Sequence, residues 1–162
     1  MFVLSTTKAI MKIQLIATTP KLLGYLGLLP FIASTGLLLI DQNHSVTWQH
    51  FLLSYGAVIL SFVGALHWSF AMLLPGLSIS QQRAAFIWSI VPSLAGWISL
   101  SIPALQGFIL LTVLFGVALL RDKQLLDYAD LPDWYMPLRR NLTVVAMICL
   151  LIAAYSITAK II

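Results

Sequence analysis

The chain has 162 residues, of which 60% are hydrophobic and only 9% are charged. A soluble domain is typically about 45–50% apolar and about 25% charged, and a domain of this size has too little interior to hide so much apolar surface. The composition therefore excludes a soluble globular protein and predicts an integral membrane protein. The net charge of +4 does not indicate a nucleic-acid partner, because the nine Lys and Arg residues flank apolar segments and are placed to meet lipid headgroups.

Five apolar segments follow a short basic N-terminal segment, residues 1–21, which fits neither a secretory signal nor a transit peptide. A helix that crosses a bilayer needs about 17–25 residues, and each of the five segments is long enough. The fold class predicted is all-α, a single five-helix transmembrane domain over residues 22–159. The predicted spans are 22–40, 51–74, 84–101, 104–120 and 142–159, with an inner interfacial loop over 121–141.

The distribution of Lys and Arg predicts the orientation of this domain. Cytoplasmic or matrix segments of membrane proteins carry the excess of Lys and Arg. With the N-terminus inside and the C-terminus outside, only Lys160 falls on the outer side. The inner cations are then Lys8, Lys12, Lys21, Arg83, Arg121, Lys123, Arg139 and Arg140.

Prolines interrupt the first and third spans. Pro30 follows two glycines in the first span, and Pro92 lies between Trp88 and Trp97 in the third. A proline inside a helix removes a hydrogen bond and is predicted to kink it. Two kinked helices beside a polar side chain of the second span can surround a polar cavity.

The second span carries a stripe of small residues. Small side chains at every fourth position let helix backbones approach closely in lipid. The stripe has two interpretations, packing within the bundle or a docking face for another membrane protein. Its members are Ala57, Ser61, Ala65 and Ser69, widened by Gly56 and Gly64.

His67, next to Trp68, is the only ionisable side chain well inside any of these predicted spans. Ionisable residues inside a membrane are unfavourable and indicate function by default. His67 has two interpretations, a hydrogen bond to a neighbouring helix or contact with a ligand such as a quinone or haem. Bis-histidine haem ligation is disfavoured, because His44 and His50 fall in the outer loop. The candidate pocket comprises His67, Trp68, Ser61, Trp88 and Trp97.

The inner loop has an amphipathic pattern, with carboxylates separated from aromatic and apolar residues. A segment of this kind lies flat at the interface with its rings at headgroup level and its carboxylates in water. Divalent-cation binding is the alternative, but Ca²⁺ needs a denser oxygen cage. The residues concerned are Asp122, Asp127, Asp130, Asp133, Trp134, Tyr135, Arg139 and Arg140.

Recognisable catalytic chemistry is missing from the sequence. It has no nucleophile–base pair, no phosphate-binding loop and no metal-ligand cluster; Glu is absent and no Asp falls within a predicted span. No catalytic residue, cofactor or metal is assigned. A non-enzymatic role is favoured over an enzyme, a channel or a proton-coupled transporter, which usually displays intramembrane carboxylates.

Two segments carry a resemblance to a known family. Residues 24–31 read GYLGLLPF and residues 55–68 read YGAVILSFVGALHW. With Trp88, Pro92 and Trp134-Tyr135, they resemble the integral membrane family called domain of unknown function 3429, which includes transmembrane protein 69-like proteins. Ser69 stands where that pattern has glycine. The resemblance implies a bacterial inner membrane, or a mitochondrial inner membrane in a eukaryote, and brings no catalytic mechanism.

Two functions are carried forward from the sequence. The first is an interaction or assembly component of a membrane complex, with membrane lipid and other integral membrane proteins as partners. The second is a lipid-, quinone- or haem-binding module with a pocket near His67 and Trp68.

Overall fold

The structure, a computed structural model, describes residues 18–74, 76–125 and 131–159, and their regular structure is helical. Five helical segments are long and apolar enough to cross a membrane, which confirms the predicted five-helix bundle. The first span consists of α1 (residues 18–26) and α2 (Leu29–Ile40). After a short 3₁₀ turn, Gln42–His44, the other spans are α3 (Ser45–Leu73), α4 (Ile79–Ser101), α5 (Ala104–Leu125) and α6 (Tyr135–Thr158).

The helices extend beyond the predicted spans, chiefly at the end of the bundle that carries Arg83, Arg121 and Arg139. There α4 begins earlier, at Ile79, because Ser78 forms a capping box with Gln81. The sequence-based spans stop at the first charged or polar residue, whereas the helices continue through such residues. The predicted inner loop 121–141 is therefore reduced in the structure to the segment between α5 and α6.

The centre of the bundle is α3, which packs against α2, α4 and α5, while α6 packs against α5 and α2. Most of the packed interior is apolar, with eight buried polar or charged residues among the described ones. The outer faces of the helices carry exposed Leu, Ile, Val and Trp side chains suited to lipid. The largest fully buried apolar side chains include Phe31, Leu52, Leu60, Phe108, Phe115 and Leu150.

Small residues bring α3, α4 and α5 into close contact. A Cβ atom built on Gly64 would lie 2.8 Å from the Pro92 ring, and one on Gly96 would lie 3.1 Å from the Ala57 carbonyl oxygen. At Gly107 the nearest atom would be the Ser99 carbonyl oxygen at 2.6 Å. Helix α4 runs through Pro92 without interruption. The proline therefore serves as a packing surface for α3.

The first span is interrupted between α1 and α2 at residues 27–28. Pro30 lies in the first turn of α2, where its missing N–H is tolerated. The interruption frees the Gly27 carbonyl, which accepts a hydrogen bond of 2.8 Å from the Tyr55 hydroxyl of α3. Pro30 thus lies just after a break in the helix.

The turn between α2 and α3 lies at the end of the bundle away from Arg83, Arg121 and Arg139. Asp41 accepts hydrogen bonds from the Trp48 indole at 3.2 Å and from the His44 backbone at 3.3 Å. The Trp48 hydrogen bond is the main cause of a lowered pKa for Asp41, with His44 adding to it. This half-buried carboxylate caps the 3₁₀ turn, Gln42–His44, that precedes α3.

Candidate functional site

The charged groups of the bundle interior meet at an ion pair between α5 and α6. Asp122, in the last two turns of α5, is fully buried, and the Arg139 side chain is 10% exposed. Arg139 Nε donates to Asp122 Oδ2 across 2.6 Å. The prediction that Asp122 lies in a water-exposed interfacial loop is wrong. So is the prediction that no carboxylate lies within a span.

His67 completes the group from α3. Its side chain is 3% exposed, and its Nε2 lies 3.6 Å from Asp122 Oδ1, slightly beyond hydrogen-bond reach. The sequence predicted that His67 is the only ionisable side chain well inside a span, and this prediction is wrong. Three such residues, from three helices, lie together near one end of the bundle. We call His67, Asp122 and Arg139 the polar triad.

The sequence pattern that places Asp122 on the buried face of α5 was present, but the predicted span, 104–120, ended before it because Arg121 is charged. The buried positions of α5, Leu111, Phe115, Ala118, Asp122 and Leu125, recur every three or four residues. Extending the apolar period of the span by one turn places Asp122 on the buried face. Arg139 likewise lies on the buried face of its helix, α6.

Several polar atoms around the triad are buried without a hydrogen-bond partner among the described residues. A buried unsatisfied donor or acceptor costs about 1–3 kcal/mol, so a concentration of them indicates that water or a ligand belongs there. The atoms are both ring nitrogens of His67, Trp88 Nε1, Asp122 Oδ1, Tyr135 Oη, Arg139 Nη2 and Thr143 Oγ1.

Cavities adjoin the triad on both sides among the described residues. The larger cavity lies on the Arg139 side, between α1, α2, α3 and α6. Its volume is about 410 Å³, within the range of about 300–1,000 Å³ of small-molecule sites. Most of its wall is apolar, including Leu23, Phe31, Val63, Leu66 and Leu142. Its polar side chains come from α6, namely Tyr135, Arg139 and Thr143.

The smaller cavity lies on the His67 side, between α3, α4 and α5. It measures about 140 Å³, which is room for several water molecules. Its wall is more polar and includes His67, Gln81, Trp88 and Arg121. The Arg121 guanidinium lies over the Trp88 ring at 5.1 Å from the centroid. The triad therefore separates a small polar cavity from a large apolar one.

The structure brings only part of the predicted pocket together. His67 and Trp88 are neighbours, with ring centroids 6.3 Å apart. Trp68 faces outward against Phe86 and is 46% exposed, Trp97 is 68% exposed, and Ser61 donates to the Ala57 carbonyl of its own helix. Sequence reasoning missed Asp122 and Arg139 as partners of His67, and missed Tyr135 and Thr143 as residues of the cavity wall.

The small-residue stripe of α3 is divided between two faces. Gly56, Ala57 and Gly64 are buried inside the bundle, whereas Ala65 and Ser69 are exposed. The division arises because positions four residues apart rotate gradually around the helix. Much of the stripe thus serves packing within this chain.

The predicted interfacial segment is also divided. Asp133 and Arg140 are exposed, and Trp134 and Tyr135 lie side by side with ring centroids 6.4 Å apart at the start of α6. Asp127 and Asp130 lie outside the described residues. Within the described ranges, no group of three His, Cys, Asp or Glu residues is placed to hold a metal ion.

Comparisons with known proteins agree with this architecture. The family "Protein of unknown function (DUF3429)" matches residues 16–155. Transmembrane protein 69 of Xenopus tropicalis is 33% identical over 79% of this chain and 50% of its own length. Transmembrane protein 69 of Mus musculus is 27% identical over 75% of this chain and 49% of its own length. The chain thus spans about half the length of these curated relatives.

No solved structure matches the chain significantly. The family match covers all five spans, together with the triad and the walls of both cavities. The protein is therefore a polytopic membrane protein that belongs to the DUF3429 family.

Proposed function

We propose that this protein binds a membrane amphiphile whose apolar chain occupies the larger cavity. The observation that carries the proposal is an apolar cavity of about 410 Å³ with the unpartnered guanidinium nitrogen of Arg139 in its wall. Apolar walls with a few fixed polar groups are the usual form of a ligand site. This develops the lipid-binding alternative drawn from the sequence.

The division of the cavities argues against haem as the ligand. His67 lines the smaller cavity and not the larger one. The volume of about 140 Å³ beside His67 falls below the range of about 300–1,000 Å³ for small-molecule sites. The proposal therefore places no ligand on His67, and it assigns Trp68 no role in binding.

The triad positions Arg139 for this role. Arg139 Nε is held by Asp122 at 2.6 Å, which fixes the guanidinium plane and leaves Nη2 without a protein partner. A planar guanidinium held through one edge presents its remaining donors in a fixed direction. The ion pair thus both joins α5 to α6 and aligns a donor with the cavity.

The test is to fill the cavity and measure the bound amphiphile. Ala146 is 2% exposed and lines the cavity from α6, so Ala146→Phe places a ring inside it. We expect native mass spectrometry of the gently solubilised protein to show one bound amphiphile per wild-type chain. Titration of the delipidated proteins with lipid should give at least about a tenfold higher Kd for Ala146→Phe, about 1.4 kcal/mol in binding.

The matched control is Val144→Phe, which adds a ring to the same helix on its exposed side. It should retain the amphiphile. Both variants must show the helical circular dichroism and thermal transition of a folded protein, since overpacking costs about 1–3 kcal/mol. A wild-type protein that carries no amphiphile and takes none up from lipid would refute the proposal, and a bound quinone would identify a different amphiphile.

An interaction or assembly role is the second candidate function. Its support is that Ala65 and Ser69 keep the small-residue stripe open on the outer face of α3. We propose the inner membrane of a bacterium, or of a mitochondrion, as the setting, on the strength of the family resemblance. A stoichiometric membrane complex that co-purifies with the wild type and is lost in Ala65→Leu would favour this candidate.

A further inference from the structure

We infer that the amphiphile is an anionic phospholipid, with its phosphate held by Tyr135, Arg139 and Thr143. This inference rests on the proposed function, because it names the headgroup of the molecule whose chain fills the larger cavity. The proposed function uses the volume, the apolar wall and Arg139, and the inference adds the hydroxyl groups of Tyr135 and Thr143 in the same wall.

The three residues form one line along α6. They are four residues apart, and residues at that spacing share a helix face; all three line the cavity. Thr143 is 2% exposed and Arg139 is 8% exposed. Tyr135 Oη, Arg139 Nη2 and Thr143 Oγ1 all lack hydrogen-bond partners among the described residues.

The hydrogen-bonding character of this line indicates the chemistry of the ligand. A guanidinium only donates, and a hydroxyl group with no acceptor nearby has a free O–H to donate. The ligand must therefore supply several acceptor oxygens close together. A phosphate does so, and charge-assisted hydrogen bonds from Arg to phosphate are roughly twice as strong as neutral ones.

The charge around the site also favours an anion. Among the described residues, Arg139 is the only charged side chain that lines the larger cavity, and no carboxylate lines it. The first turn of α6 has no side-chain cap and contains no acidic residue. The helix dipole at such a terminus favours negative charge. A phosphate beside Arg139 would therefore meet no like charge in the described wall and would lie near the positive end of the α6 dipole.

The experiment compares two lipids with the same acyl chains, phosphatidylglycerol and diacylglycerol, which lacks the phosphate. Each is titrated into delipidated full-length protein and followed by native mass spectrometry. The apolar chain contributes equally to both. We expect phosphatidylglycerol to bind about tenfold more tightly, the effect of one to two additional charge-assisted hydrogen bonds. A fatty acid of the same chain length serves as the carboxylate probe.

The variants remove one donor at a time. Thr143→Val and Tyr135→Phe keep the shape of the side chain and leave the Asp122–Arg139 pair intact, so they avoid an unpaired buried charge. Each should reduce the preference for phosphatidylglycerol several-fold without changing diacylglycerol binding. Arg139→Gln should abolish the preference, and Arg140→Gln, an exposed neighbour with the same change in charge, should not.

The outcomes separate the two proposals. Equal binding of phosphatidylglycerol and diacylglycerol, sensitive to Ala146→Phe, would overturn the phosphate assignment and leave the proposed function standing. Failure of phosphatidylglycerol, diacylglycerol and the fatty acid to bind, in a wild-type protein that also carries no amphiphile of its own, would overturn both proposals. Tighter binding of the fatty acid than of phosphatidylglycerol would replace the phosphate with a carboxylate. A preference that survives both Thr143→Val and Tyr135→Phe would overturn the assignment of the phosphate to these two hydroxyl groups.

Discussion

Asp122 is the residue on which the polar interior depends. It is fully buried, its Oδ2 accepts from Arg139, and its Oδ1 faces His67. Burying a single charge in an apolar surrounding is far more unfavourable than burying a matched pair. The effect of changing Asp122 should therefore depend on whether Arg139 is changed with it.

We predict that Asp122→Asn destabilises the protein by about 3–5 kcal/mol, because it leaves the Arg139 charge buried without compensation. The measurement is the free energy of unfolding in detergent, from a denaturant titration followed by circular dichroism. The double variant Asp122→Asn with Arg139→Gln should recover much of the loss, since a neutral pair replaces an isolated cation.

Asp133→Asn is the matched control for this prediction. Asp133 lies at the same end of the bundle, just before α6, but its side chain is exposed, and surface substitutions usually change stability by less than about 0.5 kcal/mol. A single Asp122→Asn variant as stable as Asp133→Asn would show that the buried pair contributes nothing to the fold.

At the scale of the helices, close approach through glycine decides how α4 and α5 pack. A side chain at Gly107 would meet the Ser99 carbonyl oxygen at 2.6 Å, whereas one at Gly36 in α2 would meet no atom within 4 Å. The two glycines thus differ in packing although both lie inside helices.

We predict that Gly107→Ala lowers stability by about 1–3 kcal/mol, because the clash is with backbone that cannot rotate away. Gly36→Ala should be neutral or should raise stability by up to about 1 kcal/mol, since alanine is the better helix former. Thermal unfolding of both variants in the same detergent checks the contrast. Equal effects would mean that helix propensity alone governs both sites.

The whole molecule has one end rich in cations, and its orientation in the membrane remains a prediction from the Lys and Arg count. Cys149 is the only cysteine and is buried, so Cys149→Ala gives a background without thiols. Asn43, in the turn before α3, and Ser80, at the start of α4, are exposed at opposite ends of the bundle.

We predict that a membrane-impermeant maleimide added to intact cells labels Asn43→Cys but not Ser80→Cys in the cysteine-free background. The reason is the positive-inside rule, which places the arginine-rich end in the cytoplasm. Ser80→Cys should become labelled only after the membrane is permeabilised. The reverse pattern would invert the topology.

The sequence by itself determined that the protein lies in a membrane, how many helices span that membrane and which family the chain resembles. These follow from the length and polarity of each segment, because a bilayer forces every spanning segment to satisfy its backbone as a helix. His67 was also identified from sequence as an intramembrane polar residue. Each of these properties is local to one segment of the chain.

Only the tertiary structure decided what surrounds His67. Asp122 and Arg139 are 55 and 72 positions further along the chain, and they come together because α3, α5 and α6 pack at one end of the bundle. Trp68 and Trp97, by contrast, face outward. A residue's polarity can be read in the sequence, but its neighbours depend on helix rotation and packing, which the close contacts at Gly64, Pro92 and Gly107 determine.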